Sequence, residues 1–183
     1  DLDLLQSGDT RNVVDKYRYW SMAAIVADLD TQRHEYHVAI ENWQHDLNIG
    51  SIVRTANAFL AKEVHIVGNK RWNRRGAMVT DRYQHVRHHA DVDGLAAWAR
   101  ESGLPLIGID NLPGSVPLET YDLPRACVLL LSRRLRAVMG QTRGCPVEYS
   151  LASTDKTGVA FRIHLRSSRH SLAVAPFWAV ATS

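Results

Sequence analysis

One polar stretch in the first third of the sequence combines residue types that can bind an anion. Asn48, Gly50, Ser51 and Arg54 follow at spacings of one to three residues, and Asn57 comes one turn later. Asn48 is a favoured helix N-cap type, and Ser51 stands at N3, where its N–H can bond to the Asn48 side chain. A helix that begins here exposes free N–H groups that favour an anion.

Arg54 strengthens this prediction. It stands one helical turn after Gly50, and helical side chains lean toward the N-terminus of their helix. Its guanidinium can therefore lie over the first turn and add a forked donor suited to phosphate. The simpler interpretation is a capped amphipathic helix with one surface arginine, and the pattern alone leaves both open.

A short strand and an amphipathic helix position these residues. Residues 38–40 form an apolar run of strand length. After a loop at 43–47, apolar side chains recur at helical spacing and predict one buried stripe. The stripe consists of Ile49, Ile52, Val53, Ala56 and Leu60. Gly50, Ser51, Arg54 and Asn57 are then predicted on the opposite, polar face.

Residues 48–59 resemble the first motif of the SpoU-type RNA ribose 2′-O-methyltransferases of the SPOUT superfamily. The resemblance rests on an Asn, a Gly and an Arg at fixed offsets, and Glu41 and Asn42 fit the same pattern. It covers about residues 25–131 of the sequence. It implies S-adenosylmethionine as methyl donor, tRNA or rRNA as substrate, a homodimer, and a deep trefoil knot near the C-terminus.

The resemblance also assigns site residues. Arg54 matches the family's catalytic arginine, and Asn48 is expected to hold Arg54 and its loop in place. Because a guanidinium stays protonated, Arg54 is a poor base. We expect it to bind the phosphate beside the target ribose and to stabilise charge as the hydroxyl attacks. The side chains expected at the cofactor are Asp110, Leu130, Ile163, Leu165, Ser171 and Leu172.

Positive charge is concentrated in two regions. Residues 62–87 carry seven Lys or Arg against two acids, and residues 133–169 carry eight against two. Such patches favour a polyanionic partner, of which nucleic acid is the commonest. Cations can hold phosphate while an exposed Trp stacks on a base; the alternative is a surface loop whose Trp72 is buried. The residues expected to contact RNA are Lys70, Arg71, Trp72, Arg74, Arg75 and Arg82.

Three histidines, His85, His88 and His89, have a helical spacing that could hold a metal ion. No carboxylate or cysteine stands nearby to complete the site. RNA contact or a plain surface role is favoured, and the sequence predicts no metal site.

Alternating strands and helices predict an α/β fold, a parallel sheet with helices on both faces. Further strands are predicted at 64–67, 104–110 and 128–131, and a helix at 92–102 ends at Gly103. A loop at 111–126 follows the third strand. Ligands of such sheets lie beyond the carboxyl ends of the strands. This rule places Asn42, Gly68, Asp110 and Ser132 around one crevice.

The chain of 183 residues suits one domain with a full core. We expect an N-terminal extension at 1–30, loose at 1–11 and helical at 13–30, followed by a SPOUT-like domain at 31–183. Cys127 and Cys145 suggest no disulfide framework, and neither a membrane-length apolar run nor a signal peptide is evident. A reducing, cytoplasmic setting is the expectation.

The sequence departs from the family pattern after residue 131. The family has Gly-x-Glu-x-x-Gly in a turn whose backbone curls around the cofactor, whereas residues 132–136 read Ser-Arg-Arg-Leu-Arg. Residues 140–144 are partly similar but displaced, with Thr142 in the place of the Glu. The last motif keeps its spacing, but Ala173 replaces its Asn and Pro176 falls early in its helix. Divergence, chance and a frameshift remain as explanations.

Two functions follow. The first is an enzyme that methylates a ribose 2′-hydroxyl of tRNA or rRNA. The second is a non-catalytic RNA-binding homodimer that has lost S-adenosylmethionine binding. The Arg and Ser content of residues 132–170 predicts partial disorder of the diverged region.

Overall fold

The computed structural model describes residues 1–42, 48–110 and 116–132, together with the backbone of residues 147–152. Within these ranges seven strands form one sheet, in the order β3-β2-β1-β6-β4-β7-β5. They are β1 His37–Asn42, β2 Val64–Gly68, β3 Val86–His89, β4 Leu106–Ile109, β5 Val116–Pro117, β6 Val128–Leu131 and β7 Val147–Ala152. All pairings between them are parallel. The α-helices are α1 Leu2–Ser7, α2 Met22–Asp30, α3 Asn48–Ala58 and α4 Val92–Glu101.

Helices cover both faces of the sheet, which confirms the predicted fold class. On one face, α3 buries its apolar stripe against alternate residues of β1 and β2, such as Val38 and Ile66. On the other face, α4 packs Leu95 and Ala99 against Ala39 and the central strands. Sheets covered on both faces have strands that are apolar almost throughout. This requirement explains why the apolar runs of β1, β2 and β6 could be located from sequence.

The carboxyl ends of the central strands meet at one edge of the sheet. In the register, Asn42 lies opposite Gly68, and Leu131 lies opposite both Ile40 and Ile109. The residues that follow the strands are therefore neighbours, as predicted. We call this edge, lined by Asn42, Gly68, Asp110 and Ser132, the crevice.

The predicted helix at 13–30 is wrong in its first half. A 3-10 turn occupies Asp15–Tyr17, Tyr19 has a φ of 65°, and α2 begins only at Met22. Ser21 caps this later start, because its hydroxyl accepts a hydrogen bond from the Ala24 N–H at 3.2 Å. The segment expected to be loose at 1–11 instead contains α1.

Strand β3 was not predicted either. His85, His88 and His89 have a helical spacing in the sequence, but β3 pairs with β2 as an edge strand, with Val86 opposite Val64. Its first three residues are exposed, so no apolar pattern indicates a strand. In the predicted loop at 111–126, the described part contains β5 and a 3-10 turn at Leu118–Thr120.

Much of the diverged region lies outside the described residues. Strand β7 is the part of it that the structure describes after Ser132, and it lies between β4 and β5. The expected knot, and the cofactor contacts expected of Ile163, Leu165, Ser171 and Leu172, fall on residues that the structure does not describe. None of the described helices is long and apolar enough to cross a membrane.

Candidate functional site

Asn42, at the end of β1, attaches a basic loop to the crevice. Its side chain is completely buried, and its Nδ2 donates to the carbonyl oxygens of Asn69 at 2.7 Å and Arg71 at 2.8 Å. The N–H of Asn69 donates in return to the carbonyl oxygen of Asn42 at 2.8 Å. The chain leaves β2 at Gly68, whose φ of 97° is readily adopted only by glycine. The loop at residues 70–75, called the basic loop, is therefore held at the crevice.

The basic loop presents its cations to solvent. Lys70, Arg71, Arg74 and Arg75 are all exposed, and Arg82 is exposed shortly after the loop. Asn73 orders the loop, because its Oδ1 accepts a hydrogen bond from the Arg75 N–H at 3.0 Å. The side chain of Arg74 is 74% exposed and lies 3.5 Å from Asp81. Such exposed ion pairs contribute little free energy, so this pair does not prevent Arg74 from binding phosphate.

Trp72 is less exposed than a free stacking platform requires. Its ring is partly buried and packs against the core cluster beneath α3. The Arg74 guanidinium lies 5.7 Å from the ring centroid, within the range of a cation–π contact. Trp72 thus fits neither alternative fully. Its ring packs on the core and supports the loop, and part of the ring surface is still exposed.

Helix α3 begins at Asn48, and Ile49, Val53 and Ala56 are buried as predicted. Gly50 differs from the prediction, because it is buried against the 3-10 turn at Arg74–Ala77 and does not lie on an open polar face. A Cβ at position 50 would lie 2.6 Å from the backbone nitrogen of Ala77. Only glycine fits this contact between two backbones. The contact is tertiary, so the helical pattern did not reveal it.

Arg54 is partly exposed on α3 and contacts the segment that follows the basic loop. Its Nη1 donates to the Sδ of Met78 at 3.1 Å. Met78 and Val79 have φ values of 47° and 71°, and their exposed fractions are 64% and 53%. Positive φ is uncommon outside glycine and a true outlier for a β-branched residue. Strained backbone of this kind is often found at functional sites, and nothing in the sequence predicted it here.

The other side of the crevice is formed by the ends of β4 and β6. Ser132 follows β6, and its hydroxyl donates to the carboxylate of Glu41 at the end of β1. Asp110 follows β4 and is partly exposed. Leu130, predicted to contact a cofactor, is fully buried in the core under α4. Any contact of Leu130 with a ligand in the crevice would have to come from its backbone.

Of the three histidines at 85, 88 and 89, only His89 departs from the expected surface position. His85 and His88 are exposed and His89 is buried, so the three do not converge on one point. His89 instead contacts His65 of β2, which contacts His37 of β1. This cluster lies on the sheet face that α4 covers, against Trp98 of that helix. It could not be predicted without the register of the three strands.

Comparisons with known proteins agree with this architecture. The model of the SpoU rRNA Methylase family matches residues 35–175. An AdoMet-bound rRNA methyltransferase from Sinorhizobium meliloti is 25% identical, with a TM-score of 0.53; the match covers 72% of this chain and 52% of that one. This chain therefore spans about half of the length of that relative.

Two further solved structures show the fold alone. A TrmH/SpoU tRNA modifying enzyme from A. aeolicus has a TM-score of 0.60 at 14% identity, covering 76% of this chain and 72% of that one. The SpoU methyltransferase AviRb from Streptomyces viridochromogenes has a TM-score of 0.53 at 17% identity, covering 70% and 53%. The search of curated proteins gave no match. Because the family model spans well over half of the sequence, the chain belongs to the SpoU rRNA Methylase family.

Proposed function

We propose that this chain is an RNA methyltransferase that transfers a methyl group from S-adenosylmethionine to a ribose 2′-hydroxyl of tRNA or rRNA. The observation that carries the proposal is the position of Arg54. It stands beside a loop of exposed cations that Asn42 holds at the crevice. Family membership supports methyl transfer to RNA. The choice of a ribose 2′-hydroxyl as acceptor is proposed from the resemblance of residues 48–59.

In this proposal the protein contributes mainly positioning. The basic loop binds phosphates on either side of the target nucleotide, and Arg54 binds the phosphate next to the target ribose. The sulfur of Met78 is a weak acceptor, whereas hydrogen bonds between a guanidinium and a phosphate are strong. Arg54 can therefore exchange its contact with Met78 for a phosphate oxygen at little cost. Its charge then stabilises the reacting hydroxyl oxygen, and fixed geometry accounts for much of the rate.

S-adenosylmethionine supplies the methyl group when it is bound. The described residues do not by themselves form a cradle for it, since Ser132 bonds to Glu41 where the family has a glycine turn, and Leu130 is buried. Asp110 is the predicted cofactor residue that stands partly exposed at the crevice. The steps proposed above therefore concern the RNA side of the reaction.

Replacement of Arg54 tests the proposal. We expect Arg54→Ala to lower transfer of a tritiated methyl group to tRNA or rRNA by at least about a hundredfold. Arg54→Lys is expected to restore little, because lysine keeps the charge without the fork. The control is Arg100→Ala, which removes an exposed arginine on α4. A 2′-O-methylated product is identified by resistance of the adjacent phosphodiester to alkali. Undiminished transfer by Arg54→Ala would remove Arg54 from the mechanism.

The second candidate is a non-catalytic RNA-binding protein. The hydrogen bond between Ser132 and Glu41, at the strand ends where the family cofactor turn begins, favours it. It predicts RNA binding without measurable S-adenosylmethionine binding. A combined titration of the purified chain with tRNA and with the cofactor distinguishes the two functions.

A further inference from the structure

Three buried histidines form a cluster on the sheet face that α4 covers. His37 opens β1, His65 lies in β2 and His89 ends β3. The His37 Nδ1 lies 3.0 Å from the His65 Nε2, and the His65 Nδ1 lies 2.9 Å from the His89 Nε2. Their exposed fractions are 8%, 0% and 9%. The ring centroid of Trp98 lies 4.3 Å from that of His65, so an aromatic wall closes one side.

A carboxylate completes the outer end of this cluster. The Glu63 Oε2 lies 3.8 Å from the His65 Nε2, and the Glu63 side chain is 16% exposed. One ligand atom from each of His37, Glu63 and His65 lies within 4.8 Å of the others. His37 and Glu63 stand at the amino ends of β1 and β2, whereas the crevice lies at the carboxyl ends. The group is therefore separate from the proposed RNA site.

We propose that His37, His65 and Glu63 bind one divalent metal ion, Zn²⁺ or a similar first-row metal ion. Two imidazole nitrogens and one carboxylate oxygen are a common zinc donor set that leaves a fourth position for water. With bonds of about 2.0–2.1 Å, a tetrahedral ion sets two nitrogens about 3.3–3.4 Å apart. The observed 3.0 Å between His37 and His65 is only a few tenths shorter. The ion would replace the direct contact between the two rings. The sequence analysis predicted no metal site at this position.

The surroundings prepare both rings for a metal. Burial lowers the pKa of His37 and of His65, so a proton does not compete for their nitrogens near neutral pH. Zinc-binding histidines usually donate their second ring N–H to a fixed acceptor. The His89 Nε2, 2.9 Å from the His65 Nδ1, is such an acceptor when His65 carries its proton on Nδ1. In that tautomer the Nε2 of His65 has its lone pair free to face His37 and Glu63.

Lys62 and Arg87 bring opposing positive charge near the proposed ligands, and Arg87 also contacts one of them. The Arg87 Nε donates to both oxygens of Glu63, at 3.1 and 3.2 Å, and its guanidinium lies 5.4 Å from the Trp98 ring centroid. Metal binding must compete with this ion pair. The pair also provides a matched control, because Arg87→Ala and Glu63→Gln both remove it, and only Glu63→Gln removes a metal ligand.

Zinc titration of the full chain tests the proposal. After chelator treatment and dialysis, calorimetry and metal analysis are expected to find one zinc ion per chain and a raised Tm. Glu63→Gln and His37→Gln should each weaken binding at least about tenfold. Arg87→Ala should bind zinc as tightly as the parent or more tightly. The exposed histidines serve as a second control, and His85→Gln with His88→Gln should change nothing.

Cobalt gives a measurement that does not depend on the folding of a variant. Co²⁺ bound by the unaltered chain is expected to show the visible absorption of a four-coordinate ion, and zinc should abolish it. The proposal is overturned if no stoichiometric metal binds. It is also overturned if folded Glu63→Gln and His37→Gln bind zinc like the parent, or if His85→Gln with His88→Gln removes the binding.

Discussion

Gly50 shows how one residue sets the geometry of the candidate site. A Cβ there would meet the backbone of Gly76 and Ala77 at 2.6–2.7 Å, and backbone cannot move aside as a flexible side chain can. The first turn of α3 and the turn after the basic loop therefore approach as closely as two backbones allow. Arg54, one turn along α3, is brought to Met78 by the same contact.

We predict that Gly50→Ala lowers both stability and RNA affinity. Within a helix, alanine is more favourable than glycine by about 1 kcal/mol, whereas an overpacked contact destabilises a protein by about 1–3 kcal/mol. The clash is with backbone, so the second effect should dominate and lower the Tm. Gly94→Ala in α4 is the control, since its Cβ would meet only the Asp91 side chain, at 3.3 Å. A more stable Gly50→Ala with unchanged RNA binding would contradict this explanation.

The histidine cluster should make the stability of the metal-free protein depend on pH. Burial, aided by the neighbouring charges, lowers the pKa of His65 from 6.5 to about 3. The pKa values of His37 and His89 are also lowered, chiefly by burial. Below pH 6.5 the unfolded chain binds protons that the folded chain excludes. The free energy of unfolding therefore falls as pH decreases from about 6.5 toward 3.

For His65 alone the expected loss at pH 5 is about 2 kcal/mol relative to pH 7. Urea unfolding with chelator present, at pH 7, 6 and 5, measures it in a window where few carboxylates titrate. His65→Gln should flatten the profile, and the exposed His88→Gln should leave it unchanged. A constant free energy of unfolding across this window would refute the assignment of neutral buried histidines.

At the scale of elements, the basic loop is expected to provide most of the salt dependence of RNA binding. The slope of log affinity against log salt is about −0.7 per phosphate contact for single strands and about −0.9 for duplex. If the loop makes about three contacts, replacing Lys70, Arg71, Arg74 and Arg75 by Ala should flatten the slope by roughly two to three units. Filter binding of tRNA at several salt concentrations measures it, and the loss should be similar for different RNA sequences.

Trp72→Ala provides the contrast within the same loop. Its ring packs partly on the core, so removal should lower the Tm, and any weakening of RNA binding should come with little change of slope. The charge control is Arg87→Ala with Arg100→Ala, which removes two exposed cations outside the loop. If the four loop alanines leave the slope unchanged, the basic loop is a solvated surface that does not contact RNA phosphates.

Elements with a local apolar signal could be predicted closely. The predicted strand at 128–131 coincides with β6, and the predicted helix at 92–102 differs from α4 by one residue. Gly103 follows that helix with a φ of 67°, as a residue that ends a helix should. Strand β3 could not be found this way, because it is an exposed edge whose pairing with β2 determines its conformation.

At the scale of the whole molecule, the position of the candidate site could be predicted from sequence, because ligands of parallel sheets lie beyond the carboxyl ends of the strands. The contacts that shape the site did not. Gly50 meets residues 76–77 through packing of two backbones, and no side-chain pattern encodes such a contact. The histidine cluster depends on register, since His65 lies opposite Ala39 and Arg87, two residues away from His37 and His89. The three rings cannot be placed together from the sequence alone, because the register of the three strands must be known.

Cofactor binding separates the two proposed functions of the molecule. Residues 48–59, which resemble the family's first motif, and the basic loop stand at the crevice, whereas residues 132–136 lack the glycine and glutamate expected of a cofactor turn. In the structure the first of these residues, Ser132, bonds to Glu41 across the strand ends. We therefore expect that the proposed RNA site can be retained while the affinity for S-adenosylmethionine is reduced.

We predict that the free protein binds S-adenosylmethionine more weakly than micromolar. Calorimetric titration measures this affinity, with the Sinorhizobium meliloti relative as a positive control, because that protein has been observed with AdoMet bound. If the chain is an enzyme, the rate of methyl transfer should keep rising with cofactor concentration well above the micromolar range, and Arg54→Ala should abolish it. If RNA binds but no transfer occurs at any cofactor concentration, the non-catalytic function is correct. Micromolar cofactor binding would show that residues beyond 132 form a working pocket despite the lost glycine and glutamate.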